Sequence, residues 1–339
     1  MIKSLNFFFY FLSTLALGQQ FIHDSIQIQG NYRSFYVYVP SSYNANSPTP
    51  LVFSFHGYGS SAEVNYQYTQ FHSIADTAGF ILIHPQGSLL NGTSHWNVGG
   101  WTLGSSADDI GFTNLMLNYV ESNFNIDQNR IYSTGMSNGG YMSFKLACEL
   151  NEKFAAIASV TGSMTPQTLN SCNPVHPTPV LQIHGTADGT VPYQGSPTWT
   201  LGIQAVLDYW ISMNSCNVNP QTISIDDINN ADGSTVDYFI FDGGIDNVTV
   251  EHFRVNGGDH DWPGVWGNMD INASKEVWRF FYKHSKSSTT LNVEGSAPSL
   301  PKETIKIMDF MGREIKADSK VPQIHLYKDG TTSKVIPNY

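Results

Sequence analysis

Ser137 stands in Gly135-Met136-Ser137-Asn138-Gly139, after a β-type run that begins near Arg130 and before a helical pattern. A serine at a sharp strand-to-helix turn is held in a strained backbone conformation, with its hydroxyl pushed out above the sheet toward a carbonyl. Gly135 and Gly139 lie two residues to either side, where a Cβ would collide with the turn, and the helix that follows aims its N-terminus at the reacting oxygen. A serine hydroxyl needs a base, and the base needs an orienting carboxylate. Asp188, in His184-Gly185-Thr186-Ala187-Asp188, and His260, in Gly257-Gly258-Asp259-His260-Asp261, supply these types in the order Ser, Asp, His, each on a turn after a strand-like run. Of the eleven histidines, His260 alone combines that order with a glycine-flanked loop. The chemistry these three could perform is acyl transfer, which calls for no metal and no cofactor.

Such groups need a platform. Residues 51–55 are a continuous buried-strand pattern running into His56-Gly57-Tyr58-Gly59, a glycine-rich loop that opens a helix over residues 62–77. In an α/β-hydrolase that loop gives one backbone N–H of the oxyanion hole and the residue after the nucleophile gives the other, which assigns the donors to Tyr58 and Asn138. Residues 26–28 and 33–39 alternate as an antiparallel pair turning at Gly30-Asn31. Further strands are expected at 80–84, 155–160, 180–185 and 248–255, with helices at 110–123, at 138–150 and, capped by Asn272, at the end of the core. The expected architecture is therefore an α/β-hydrolase fold, a mostly parallel central sheet with helices on both faces. Trp96, Trp101 and Trp262 are candidates to line a substrate pocket, while Asp108 or Asp109 reads as a helix cap and His184 as a hydrogen-bonded core histidine.

With 339 residues, 41% apolar and 13% charged, the chain can bury one large core. Its formal net charge of −11 provides no basic face for nucleic acid, and anionic membranes are disfavoured for the same reason. Residues 1–18 read as a secretory signal peptide, with Lys3, an apolar stretch and Ala16-Leu17-Gly18 as the cleavage site; no later segment suggests membrane insertion. Export permits disulfides, and Cys148, Cys172 and Cys216 allow one bridge and one free thiol, with three pairings open. The catalytic domain is expected over 19–284 and a Ser/Thr/Pro/Gly-rich linker over 285–301. A small β module is expected over 302–339, a tail with seven Lys or Arg against five Asp or Glu, where the rest of the chain has ten against 23.

At these residues the chain resembles the secreted esterase family of polyhydroxybutyrate depolymerase-like and feruloyl esterase-like proteins. The resemblance runs from about Tyr36 to Phe281 and is carried by His56-Gly57, Trp96-Asn97, Asp109-Ile110-Gly111-Phe112, the Ser137 turn, His184-Gly185-Thr186-Ala187-Asp188 and Gly257-Gly258 with His260-Asp261-Trp262-Pro263-Gly264. It implies a secreted serine esterase acting on carboxylic esters of extracellular polymers, with Ser137, Asp188 and His260 as its triad. Asp259 and Asp261 depart from the family, which usually has small or neutral neighbours around that histidine. A serine peptidase on the same fold, or a binding protein on an inactive scaffold, is the alternative. The tail segments Ile307-Met308-Asp309-Phe310-Met311-Gly312 and Leu326-Tyr327-Lys328-Asp329-Gly330 resemble the sorting domains of type IX secretion, which implies that secretion machinery is a partner.

Overall fold

A computed structural model describes residues 19–286, 304–309, 314–316, 323–327 and 332–335. The expected signal peptide and nearly all of the expected linker lie outside the described residues. The chain begins with a hairpin, β1 (Gln20–Ile28) and β2 (Asn31–Val39), then β3 (Thr49–Phe55), α1 (Ala62–Thr69), α2 (Phe71–Ala78) and β4 (Ile81–Pro85). A small hairpin of β5 (Ser88–Leu90) and β6 (Thr93–His95) leads to α3 (Asp109–Asn123), β7 (Ile126–Met136), α4 (Asn138–Glu149) and β8 (Ala156–Val160). After α5 (Pro166–Ser171) come β9 (Val180–Gly185), α6 (Ile203–Asn214), β10 (Gln221–Ser224), β11 (Thr235–Phe241), β12 (Val250–Asn256) and α7 (Ala273–Lys283).

The ten-stranded sheet has the order β1-β2-β4-β3-β7-β8-β9-β12-β11-β10. Its six central strands, β4 to β12, run parallel, and an antiparallel pair closes each edge. Strands covered on both faces read as unbroken apolar runs, and every residue of β3, β8 and β9 is buried. Side chains alternate between faces: Val52, Leu82, Ala158 and Phe253 pack with α2 and α7, whereas Leu51, Phe53, Ile83 and Ile131 pack with α3 and α4. On α7, Val277, Trp278, Phe280 and Phe281 are buried, each stabilising the packing by roughly 1.5–3 kcal/mol, and Asn272 caps the helix by accepting from Lys275 N–H.

The structure corrects two local expectations. The first hairpin turns at Gln29-Gly30, both with positive φ (51° and 80°), and Asn31 already pairs with Ile28. The helix expected over 62–77 is two helices, broken at Gln70 (φ 51°), where the Ser274 hydroxyl takes the Thr69 carbonyl at 2.5 Å in place of a helical N–H. Of the three possible cysteine pairs the structure forms Cys148–Cys172, tying the last turn of α4 to the end of α5, and Cys216 is free and buried. Among the described residues no helix is long and apolar enough to cross a membrane. In the tail, β13 (Thr304–Asp309), β14 (Gln323–Tyr327) and β15 (Thr332–Val335) form a separate antiparallel sheet.

Candidate active site

Parallel strands β7, β9 and β12 end on the same edge of the sheet, and each delivers one of the residues singled out above. β7 ends at Met136, and Ser137 follows at φ 53°, ψ −120°, a backbone conformation that costs about 1–3 kcal/mol for a residue with a side chain. The turn is this tight because α4 starts directly against β3. A Cβ on Gly139 would sit 2.1 Å from the Phe55 carbonyl oxygen, and one on Gly135 2.5 Å from the Gly139 carbonyl carbon. Ser137 N–H donates to Val160 O at 2.8 Å, and Tyr141 N–H donates to Ser137 O at 3.0 Å, the first bond of α4. The serine is half-buried.

The loop after β3 passes the same turn, with Gly57 so placed that a Cβ on it would be 3.6 Å from the Ser137 Cβ. Gly59 N–H is used by Ser94 O (2.8 Å), whereas the N–H groups of Tyr58 and Asn138 have no hydrogen-bond partner among the described residues. Trp96 fixes these two stretches against each other. Its N–H donates to Asn138 Oδ1 (2.7 Å), its carbonyl accepts from Asn138 Nδ2 (3.1 Å), and its indole Nε1 donates to the His56 carbonyl (2.8 Å). Beneath the loop, His56 donates from Nδ1 to Gly57 O (2.7 Å) and accepts at Nε2 from Gly87 N–H (2.9 Å). Burial lowers its pKa to about 4, so it is a neutral strut at neutral pH.

On the other side, His260 Nδ1 donates to Asp188 Oδ2 at 2.8 Å, with Asp188 buried and His260 partly open to solvent. The other carboxylate oxygen, Oδ1, accepts from the N–H groups of Thr190 (2.8 Å) and Val191 (2.7 Å). Burial alone would raise the Asp188 pKa, but hydrogen bonds from His184 and His260, the His260 charge and the Val191 N–H outweigh it and hold the carboxyl far below the usual range. The two loops are stitched together. Ala187 N–H donates to Gly258 O (2.9 Å), Thr186 N–H to Val255 O (2.9 Å), Gly257 N–H to Thr186 Oγ1 (2.8 Å) and Gly189 N–H to Asp259 Oδ1 (3.1 Å). No hydrogen bond joins Ser137 to His260 among the described residues, so the geometry pairs the carboxylate with the imidazole and holds the serine at the end of a nearby strand.

Two of the three tryptophans expected at a pocket are in the core. Trp96 is fully buried because both its backbone and its indole serve the Asn138 bridge, and Phe55 packs edge-on against its ring at 4.9 Å. Trp262 is fully buried between Tyr68 and Phe71 and donates from Nε1 to Ser274 Oγ (3.1 Å), pinning the His260 loop to the core. Trp101 is half-buried and packs edge-on against Tyr141, on the first turn of α4 (4.9 Å), and against Trp199 (5.2 Å), a half-buried residue the sequence reading did not mark. Asp108 is the cap of α3, accepting from Gly111 N–H at 2.7 Å. Asp109 is buried, paired with Arg33 (2.7 Å) and accepting from Asn97 N–H (2.6 Å), so it braces the loop that carries Trp96.

The signature of the phospholipase/carboxylesterase family matches residues 42–216, just over half of the chain. The bifunctional acetylxylan esterase/xylanase XynS20E of Neocallimastix patriciarum is 30% identical over 173 residues, covering 51% of this chain and 24% of that protein. Feruloyl esterase D of Neurospora crassa is 29% identical over 281 residues, covering 79% of this chain and 87% of that protein. Some relatives are longer, and the chain spans less than half the length of XynS20E and of feruloyl esterase B of Piromyces equi. Among solved structures, acetyl xylan esterase from Aspergillus awamori superposes with a TM-score of 0.55 at 17% identity, covering 78% of this chain and 99% of that one, which identifies the fold.

Proposed function

The chain belongs to the phospholipase/carboxylesterase family of α/β-hydrolases, and from that premise we propose that it is an exported serine esterase removing feruloyl or acetyl groups from plant cell-wall polysaccharide. Ser137 is the nucleophile, His260 the base, Asp188 the orienting acid, and the N–H groups of Tyr58 and Asn138 the oxyanion donors. The observation that carries this reading is the 2.8 Å bond between His260 Nδ1 and the anionic Asp188, set on the same sheet edge as a serine held at φ 53°.

In the reaction His260 Nε2 takes the Ser137 proton as Oγ bonds to the ester carbonyl carbon. The carbonyl oxygen becomes an oxyanion facing the two N–H groups, while Asp188 stabilises the imidazolium. The intermediate collapses, the C–O bond to the sugar breaks, and His260 returns the proton to the leaving alcohol. Water then attacks the acyl-enzyme by the same route and frees the carboxylic acid. Trp101 and Trp199 form an aromatic wall beside the first turn of α4, which favours an aryl acyl group over acetate.

A fluorophosphonate probe should label wild-type protein at Ser137 and leave Ser137→Ala unlabelled, and a panel of feruloyl ester, acetylated xylan and polyhydroxybutyrate film should show turnover of the first two. Labelling elsewhere, or turnover of polyester alone, rejects the proposal. The tail is read as a sorting module for type IX secretion, joined to the enzyme through residues 285–301. A chain ending near His284 should keep its activity on soluble esters and accumulate in the periplasm of a Bacteroidetes host. Loss of that activity would mean that the tail packs on the core.

A further inference from the structure

His184 lies on β9, fully buried, and the 3.3 Å from its Nε2 to Asp188 Oδ2 makes it a second imidazole on the oxygen that already accepts from His260. Its protonation state follows from its partners. Nε2 also lies 2.9 Å from the Val191 carbonyl, so it faces two acceptors and carries the proton. Nδ1 lies 3.0 Å from Gln182 Nε2, an amide nitrogen that also donates to Gly162 O at 2.9 Å, so Nδ1 accepts. A second proton on His184 would point an N–H at the N–H of Gln182. The network therefore places the proton on Nε2 and the lone pair on Nδ1.

Asp188 thus accepts three hydrogen bonds, from Thr190 and Val191 N–H on Oδ1 and from His260 on Oδ2, while the His184 N–H, which donates to Val191 O, lies against Oδ2 at 3.3 Å as a weaker electrostatic contact. The other titratable groups facing this cluster are Tyr193 and His252 beside His184, and Tyr141 and Asp261 beside Asp188. Tyr193 donates to His252 Nε2 (2.8 Å), and His252 Nδ1 donates to Gln182 O (3.0 Å), which leaves both neutral and fixes the backbone of the residue that sets the His184 tautomer.

We propose that His184 is a positioning residue for the ester hydrolysis assigned above: locked by Gln182 as a neutral donor, it anchors the acid to the strand and tempers the hold of Asp188 on His260. A cationic group at this point would cancel the charge that the imidazolium needs, whereas a neutral N–H fixes the carboxylate and leaves it an anion. The inference rests on the triad reading.

The test compares His184→Leu, which removes the donor, with His184→Gln, whose amide nitrogen can replace Nε2, each normalised to the fraction labelled by a fluorophosphonate so that only folded sites are counted. His184→Leu should lose about 10- to 100-fold in kcat with KM within about 2-fold, the range for a hydrogen bond to a charged group, and His184→Gln should regain most of it. With the N–H contact to Oδ2 removed the carboxylate attracts the base proton more strongly, so the acid limb of kcat/KM in His184→Leu should move to higher pH. An unmoved or lowered limb, or a glutamine variant as slow as leucine, overturns the role. Nitrogen-15 spectra of histidine-labelled wild type give a reading independent of any variant's folding: an Nε2–H signal for His184 is expected, and an Nδ1–H signal rejects it. Ser137→Ala keeps the premise separate. If Ser137→Ala is active the triad reading fails, and if it is dead while His184→Leu behaves as wild type, only this inference fails.

Discussion

The two halves of the site are held by different physics. On the nucleophile side the backbone is fixed by exclusion: Gly135 and Gly139 let β3, β7 and α4 approach so closely that no Cβ fits, and Ser137 has one conformation left. On the acid–base side exclusion acts only where β9 ends, a Cβ on Gly185 falling 2.2 Å from the Gly258 carbonyl oxygen, and the loop beyond it has room. A Cβ on Gly189 would meet nothing nearer than Asp259 Oδ1 at 4.0 Å, and the loops are held by hydrogen bonds between them and by three hydrogen bonds on Asp188. Contacts between rigid backbones are all-or-none, whereas a hydrogen-bonded lattice loses strength one bond at a time. The nucleophile turn should thus be brittle to substitution and the loop from Asp188 onward graded.

The largest effects are expected at the groups proposed to react. Ser137→Ala should fold normally and lose about 10⁴-fold or more in kcat, measured as ester hydrolysis, and Asp188→Asn should lose about 10⁴-fold, because the base loses its anionic partner. Near-normal turnover in Asp188→Asn would assign the acid to another carboxylate and break the comparison at its centre.

The same division explains what the sequence could reveal. Steric requirements are local: the glycines around Ser137, the apolar runs of β3, β8 and β9, and the asparagine capping α7 are all read within a few residues. Asp188 and His260 were legible through chain order and their place after strands. What holds them was not, because the partners are far apart in sequence, as with Asn138 and Trp96, or face each other across a turn whose shape the residues do not disclose, as with Asp188 and His184. For the same reason Trp96 and Trp262 were misplaced at the surface of a pocket, since an indole N–H with a buried acceptor belongs in a core and the acceptors, His56 O and Ser274 Oγ, are set by tertiary structure. The break at Gln70 and the cysteine pairing also depend on distant neighbours.

Alanine at matched glycines tests brittleness against gradation directly. Gly139→Ala must displace the backbone at Phe55, so a loss of about 1–3 kcal/mol in stability and on the order of 10²-fold in kcat/KM is expected. Gly189→Ala should stay within about 2-fold in kcat/KM and leave the denaturation midpoint unchanged. Equal effects would erase the distinction.

Both halves nevertheless rest on buried neutral histidines, and this sets a pH window. Burial lowers His56 to about 4 and His84 and His252 to about 3, against the ordinary histidine value of about 6.5. Between those values the unfolded chain binds protons that the folded one refuses, so stability is complete above about pH 6.5 and falls as pH drops toward 3–4. Each group adds a slope of about 1.4 kcal/mol per pH unit, together up to about 4. Carboxylates act later: Glu251, which burial would raise but Arg279 and Lys283 lower to about 2, loses its contribution only as pH falls from about 4.5 toward 2. Urea midpoints measured from pH 8 to 4 should begin to decline near 6.5. A midpoint flat to 4.5 would mean that these rings are not neutral supports.

The smallest effect expected separates charge from geometry beside His260. Asp259 Oδ1 accepts from Gly189 N–H and from His260 N–H (2.8 Å), and Asp261 Oδ2 accepts from Asp259 N–H (3.1 Å), so the two acidic residues that depart from the family pattern act here as loop ties. Burial, and then the neighbouring Asp259 charge, raise the Asp261 pKa against the pull of the Asp259 N–H. An asparagine at 259 keeps an oxygen for both N–H groups and removes only the charge, whereas alanine removes the tie. If geometry is what matters, Asp259→Asn should remain within about 2-fold of wild type in kcat/KM, and Asp259→Ala should fall by about 5-fold, the loss of one modest hydrogen bond. If charge is what matters, the two variants should fall together and the difference from wild type should shrink at high salt, because Asp259 is exposed and its field is screened. The first outcome keeps the acid–base half a lattice of individually weak bonds; the second would make it an electrostatic device, and the contrast with the sterically fixed serine would then be one of charge against shape.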